Sequence, residues 1–127
     1  MSEYRNLVNA LKALSQDGTT LPMAEDEWYT RPDTVSYGTV RMDFESGQIH
    51  GNGRKTDTAC EGSVDLFSLA RSGAGWVKKI TEALENHCGG SWNLNSHTYE
   101  RETGLFHWEW TFEALQENPP DDGEADG

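Results

Sequence analysis

Apolar residues first fall into a helical rhythm between residues 2 and 16, where Leu7, Val8, Leu11 and Leu14 recur on one face. Ser2 stands at the N-cap position and Glu3 in the first turn, where a carboxylate meets the positive end of the helix dipole. Asp17-Gly18 ends the pattern. From Thr19 to Asp33, Pro22, Pro32 and the run Glu25-Asp26-Glu27 predict an extended connection held by Trp28 and Tyr29.

The rhythm then changes to a period of two. Val35 and Tyr37, followed by Val40, Met42 and Phe44, predict a strand over 34–44 whose phase slips at Gly38-Thr39, as a β-bulge would make it do. Glu45 to Asp57 is polar and holds Gly47, Gly51 and Gly53, which predicts an extended arm or long loop. A strand over about 59–69 follows, with Cys60, Gly62, Val64 and Leu66 on one side and Glu61, Ser63, Asp65 and Phe67 on the other. Gly73 and Gly75 break this alternation, and Trp76, Val77, Ile80, Ala83, Leu84 and Cys88 resume a helical stripe that Gly89-Gly90 closes. Two strands complete the series. One spans 91–99 with Trp92 and Leu94 on one face; the other spans 105–115 with Phe106, Trp108, Trp110 and Phe112 on one face, and Glu100 to Gly104 is the turn between them.

The order α-β-β(-β)-α-β-β predicts an α+β domain over residues 1–116, an antiparallel sheet of four or five strands with two helices packed on it. Residues 117–127 contain no large apolar side chain and a run of like charge, and are expected to form a disordered acidic tail. The length of 127 residues suits one core, to which the five tryptophans bring much of the buried area.

Charge narrows the partners. Ten Lys and Arg against 22 Asp and Glu give a net charge of −12, which opposes non-specific adhesion to nucleic acid or anionic membrane. Neither a membrane-spanning apolar run nor the pattern of a signal peptide is visible, so synthesis in a cytoplasm is expected, with Cys60 and Cys88 as free thiols.

Candidate chemistry is sparse. His87, Cys88, His97 and His107 suggest a zinc set, yet their spacing lacks the paired ligands of a tetrahedral site. Asp43, Glu45, Asp57, Glu61 and Asp65 flank the central strands and could hold Mg²⁺, but no motif fixes two of them together. The aromatic row of the last strand alternates with His107, Glu109, Thr111 and Glu113, which suits a buried strand face better than a base-stacking platform. With no nucleophile elbow, phosphate loop or zinc-protease pattern present, the expectation is a protein that is not an enzyme and uses no metal or cofactor.

Several short words resemble the tail terminator or tail completion proteins of long-tailed phages and prophages. They are Ala13-Leu14-Ser15, Gly18, Leu21-Pro22-Met23-Ala24, Trp28, Tyr37-Gly38-Thr39-Val40 and Val64-Asp65-Leu66-Phe67, followed by Gly89-Gly90-Ser91-Trp92 and the run from Tyr99 to Trp110. The resemblance covers most of residues 5–114 and is one of order and short words, without a catalytic signature. It implies a structural virion protein of the tail, assembled in the host cytoplasm. Copies would form a homo-oligomeric ring, typically a hexamer, that caps the tail tube, meets the neck or connector protein and lets DNA pass through its lumen without specific binding. The contacts it suggests are Gln48, Ile49, His50, Arg54 and Lys55 on the arm, with Trp28 and Tyr29. Two alternatives stand beside it: a head-tail connector of the neck, and, from another class, an acidic DNA-mimic inhibitor whose carboxylates replace phosphates.

Overall fold

A computed structural model describes residues 3–51 and 54–117, with side chains outside 44–58 and 116–117. Helix α1 (Glu3–Lys12) buries Tyr4, Leu7, Val8 and Leu11. It stops short of the expected end, where the Ala13 and Leu14 amides turn to the carbonyls of Ala10 and Leu11, three residues back, and Asp17 and Gly18 then take positive φ, 52° and 78°. Two consecutive left-handed residues make the tight turn that suits a two-residue hairpin, and here they pair β1 (Ser15–Gln16) with β2 (Thr19–Thr20). The Leu21 amide then donates to the Leu14 carbonyl at 3.0 Å, so the residues after the helix double back. The Ser2 cap lies outside the described residues.

The principal sheet contains β3 (Met23–Glu25), β4 (Ser36–Gly51), β5 (Arg54–Ser68), β6 (Trp92–Glu100) and β7 (Leu105–Glu117), in the order β3-β4-β5-β7-β6. The α+β class is as expected. The sheet is mixed, however: β3 runs parallel to β4, while the other neighbours are antiparallel. The connection after Leu21 thus contributes a strand of its own. Between β5 and β6 the chain makes a 3₁₀ turn at Gly73–Gly75 and then α2 (Trp76–Cys88), closed by Gly89 at φ 58°.

Both helices lie on one face of the sheet. Cys60, Val64 and Leu66 of β5 and Trp108, Trp110, Phe112 and Ala114 of β7 form a single core with Leu7, Val8 and Leu11 of α1 and Trp76, Ile80, Ala83 and Leu84 of α2. Strand alternation dictates this division, since every second side chain points the same way. Trp110 is fully buried; about 200 Å² taken from water is worth roughly 5 kcal/mol before ordering costs. Gly62 sits where β5 passes under Phe112: a Cβ there would lie 2.5 Å from the ring and collide with the Arg41 carbonyl.

Three expectations need correction. The register is unbroken from Ser36↔Ser68 to Met42↔Gly62, so no bulge occurs at Gly38-Thr39. Shifts come later, between Met42 and Phe44, Glu45 and Gly47, and Ile49 and His50. The sequence changes phase because Tyr37 and Val40 serve opposite faces, each carrying apolar side chains there; Gly38 instead admits Met23, whose Cε would lie 2.8 Å from an added Cβ. Secondly, of the arm and the loop expected over 45–57 the structure has the arm and not the loop: β4 and β5 stay paired through the register shifts to Gly51↔Arg54, since backbone pairing needs no apolar side chains. Thirdly, Glu117 belongs to β7, opposite Asp57, while residues 118–127 of the expected tail lie outside the described residues.

On the outer strand β6, Trp92 packs against the core and its indole N–H donates to Glu85 at 2.8 Å. Leu94 is 47% exposed, because the edge strand runs beyond the cover of the helices and its register shifts between Leu94 and Ser96. Among the described residues no helix is long and apolar enough to cross a membrane.

Candidate functional site

Among the described residues, the helix-free face of the sheet carries the most connected set of polar side chains. Registers across β4, β5 and β7 set side chains in rows: Tyr37, Phe67 and His107 in one, Thr39, Asp65 and Glu109 in the next, Arg41, Ser63 and Thr111 after that. The first row is a stack, with ring centroids 5.1 Å apart for Tyr37 and Phe67 and 4.3 Å for Phe67 and His107.

Asp65 is the hub of the second row, 4% exposed although it belongs to the open face. Its carboxylate accepts from His107 Nε2 at 2.7 Å, from Arg41 Nη1 at 3.1 Å and from Thr39 Oγ1 at 3.4 Å. Three donors satisfy oxygens that burial would otherwise leave without hydrogen-bond partners. Arg41 Nε also donates to Asp43 at 2.7 Å, and Ser63 Oγ donates to the other Asp43 oxygen at 2.5 Å. Glu109 lies 4.0 Å from the same guanidinium.

His107 faces a carboxylate at each nitrogen, with Glu100 2.9 Å from Nδ1. A neutral imidazole has one donor and one acceptor, so it would aim a lone pair at one of these carboxylates. Only the imidazolium satisfies both. The hydrogen bond to Asp65 accordingly raises the His107 pKa above its ordinary 6.5, burial opposes the rise, and Glu100 adds to it. With both nitrogens engaged, the ring has none left to accept a proton from a substrate.

A loop over residues 26–34 leans over this face. The Asp26 amide donates to the Val40 carbonyl at 2.8 Å, extending the parallel pairing, and Asp26 itself takes φ 79°. Trp28 docks through its indole N–H onto the Gly38 carbonyl at 2.9 Å and sets its ring edge-on to Tyr37. Between loop and sheet lies an open groove of about 620 Å³, lined among others by Asp26, Glu27, Trp28, Tyr37, Asp65 and His107. The Arg31 guanidinium rests in it, 5.8 Å above the Tyr37 ring.

The residues singled out from sequence scatter. Trp28 is an anchor, but its neighbour Tyr29 is fully exposed and anchors nothing among the described residues. Gln48, Ile49, His50, Arg54 and Lys55 lie in the paired strands of the hairpin. Of the five carboxylates, Asp43 and Asp65 are brought together, bridged by the guanidinium of Arg41. Glu61 stands apart, opposite Glu113, and the side chains of Glu45 and Asp57 lie outside the described residues. Nor do the suggested zinc ligands converge. Cys88 is buried in the core, where desolvation pushes its thiol up to about 12; His97 stacks on Trp108 at the sheet edge; His107 lies on the opposite face.

The clasp on His107 is not visible in the sequence, which offers this residue as a polar position of the last strand and as one of the suggested zinc ligands. Its partners are 42 and 7 residues away, and the former is reached only through the β5–β7 pairing, which no turn links. Compared with protein-family models and with curated proteins, the sequence matches neither.

Proposed function

We propose that this chain is a structural subunit of a long-tailed phage particle, a tail terminator whose copies join into a ring, typically a hexamer, that caps the tail tube and meets the neck. The observation that carries the reading is a pair of strand edges, on opposite sides of the sheet, that no strand among the described residues covers. On one side β6 hydrogen-bonds only to β7 among the described residues, leaving a nine-residue edge with Leu94 and Tyr99 exposed beside it. On the other, β3 covers β4 only as far as Val40, and the strand continues to Gly51.

A strand edge presents free N–H and C=O groups that another chain satisfies. Two different edges meeting head to tail give a heterologous contact, the kind that closes into a ring when the rotation allows. The short sequence words shared with terminator proteins point the same way. A charge of −12 per copy, repeated around a lumen, would let DNA pass without adhering. The open face adds stiffness: its charged groups are clasped to one another, and His107 offers no free nitrogen for proton transfer.

Light scattering and native mass spectrometry across a concentration series, with and without purified tail tubes, test the proposal. Rings that cap tubes and halt their growth are expected. Rings that bind neck proteins and ignore tubes would make the protein a connector, and a chain that stays monomeric throughout would remove the ring reading.

A further inference from the structure

Exposed apolar side chains are unevenly spread over this chain. Among the described residues the large ones are Tyr29, Val35, Leu69, Leu94 and Tyr99, and three of these five, Val35, Leu69 and Tyr99, gather at one end of the sheet, each more than half exposed. The Leu69 amide donates to the Val35 carbonyl at 2.8 Å. Beyond Leu69 a cleft of about 430 Å³ opens between the end of β5 and the β6–β7 turn, lined by Leu69, Arg71, Tyr99, Gly104 and Phe106. Single exposed apolar residues are ordinary on a protein surface, whereas a contiguous set around a cavity marks a place where another molecule sits.

One charged group lines this cleft. The Arg71 guanidinium lies 5.3 Å from the centroid of the Phe106 ring. A ring takes up the face of a guanidinium and leaves its N–H donors free at the rim, in the plane a carboxylate needs for paired hydrogen bonds. Arg5 spends those donors on Glu25, and Arg41 on Asp43 and Asp65. Arg71 does not: among the described residues nothing accepts from it, in a chain with 22 Asp and Glu against ten Lys and Arg. Glu100, the residue after Tyr99, is already held by His107 and Thr103.

The backbone around Arg71 is fastened. Ser68 Oγ accepts from the Ala70 amide at 3.0 Å, Ser72 Oγ from the Ala74 amide at 3.2 Å, and Gln16 Nε2 donates to the Ala74 carbonyl at 2.6 Å, although Ala74 takes φ 56°. A loop tied in this way presents its side chain without the ordering cost that a free loop would add on binding.

An apolar cleft with one guanidinium selects its occupant by two features at once. Nucleic acid or a polyphosphate would meet a single cation there in a chain of net charge −12, and is repelled. One carboxylate beside one bulky apolar side chain matches the cleft in both charge and size. At physiological salt, screening beyond about 8 Å leaves Arg71 to govern so local a contact despite the net charge. We infer that the cleft docks a segment of a partner protein in which an aromatic or large aliphatic side chain stands next to an acidic residue. The apolar side chain enters between Leu69, Tyr99 and Phe106, and the carboxylate takes two of the free donors of Arg71. This contact is separate from the ring proposed above and holds whether or not copies assemble.

Two capped peptides test it, one with phenylalanine next to aspartate and one with asparagine in place of the aspartate. Each is titrated to millimolar concentration into the full chain while amide NMR shifts are followed. Saturable shifts confined to residues 69–71 and 99–106 are expected, with the aspartate peptide bound roughly fivefold more tightly, the upper end for an exposed ion pair. In R71Q the two peptides should bind alike; in L69N both should weaken together and keep their ratio. Both positions are exposed, so the fold should persist, which circular dichroism checks. Absence of saturable shifts at these residues would overturn the inference. So would equal binding of the two peptides by the unaltered chain, a preference that persists in R71Q, or an L69N variant that binds as before.

Discussion

Replacing His107 with phenylalanine isolates the contribution of the clasp on the open face. A phenyl ring can keep the stack on Phe67, now at 4.3 Å, while removing both N–H donors. The lost bonds are the one to Asp65 at 2.7 Å and the one to Glu100 at 2.9 Å. Charge-assisted hydrogen bonds contribute about 1.5–3 kcal/mol each. The Glu100 side chain is 33% exposed, which places that bond at or below the lower limit. Asp65, at 6%, retains Arg41 and Thr39 but loses its shortest bond. The expected cost is therefore about 2–4 kcal/mol in slightly acid solution. The dependence on pH follows from the raised pKa of His107. A group whose folded-state pKa lies above its unfolded value stabilises fully below the unfolded value, here 6.5, and that contribution fades as pH rises through the folded value. Urea unfolding of both proteins at about pH 6 and about pH 9 should show a gap that is widest at the lower pH and shrinks at the higher. A gap of equal size at both, or an NMR titration placing His107 at or below 6.5, would refute the reasoning.

Two further outcomes follow from packing. Gly62→Ala should destabilise by about 2 kcal/mol or more, because the added methyl meets backbone and an immobile ring, whereas Gly90→Ala, with open space around its Cβ, should stay within about 0.5 kcal/mol; thermal unfolding separates the two. Cys60 and Cys88 are both buried, and the Cys88 thiol is pushed up to about 12, so a thiol reagent at pH 8 should label neither at an appreciable rate until denaturant is added; prompt labelling of the folded chain would contradict the core described above.

How much of this was legible in the sequence depends on the range of each interaction. The row Phe106, Trp108, Trp110 and Phe112, the stripe of α2 and the turn ending in Gly104 are local patterns, and they place the core and the last hairpin correctly. What local patterns could not supply was pairing between distant segments. Met23 lies parallel to Gly38, a contact that turned an extended connection into a strand. Tyr37 was read as part of an apolar face interrupted by a bulge, when it belongs to an aromatic stack on the other side with Phe67 and His107. Asp43 and Asp65 are, in the sequence, two of five acids that no motif fixes together; only the β4–β5 register places Arg41 where it can hold both.

The two sides of β5 imply different histories of substitution. On one side, Cys60, Val64 and Leu66 answer to volume, and a change at any of them can be absorbed by a neighbour on α2 or β7 of complementary size. On the other, Ser63 and Asp65 answer to partners, since Asp65 holds three donors from three other side chains. Among sequences descended from a common ancestor, Arg41, Asp43, Asp65, Glu100 and His107 should therefore change as a group or stay as they are, while the core positions between them drift one at a time. A single strand would thus record two rates of change, alternating residue by residue.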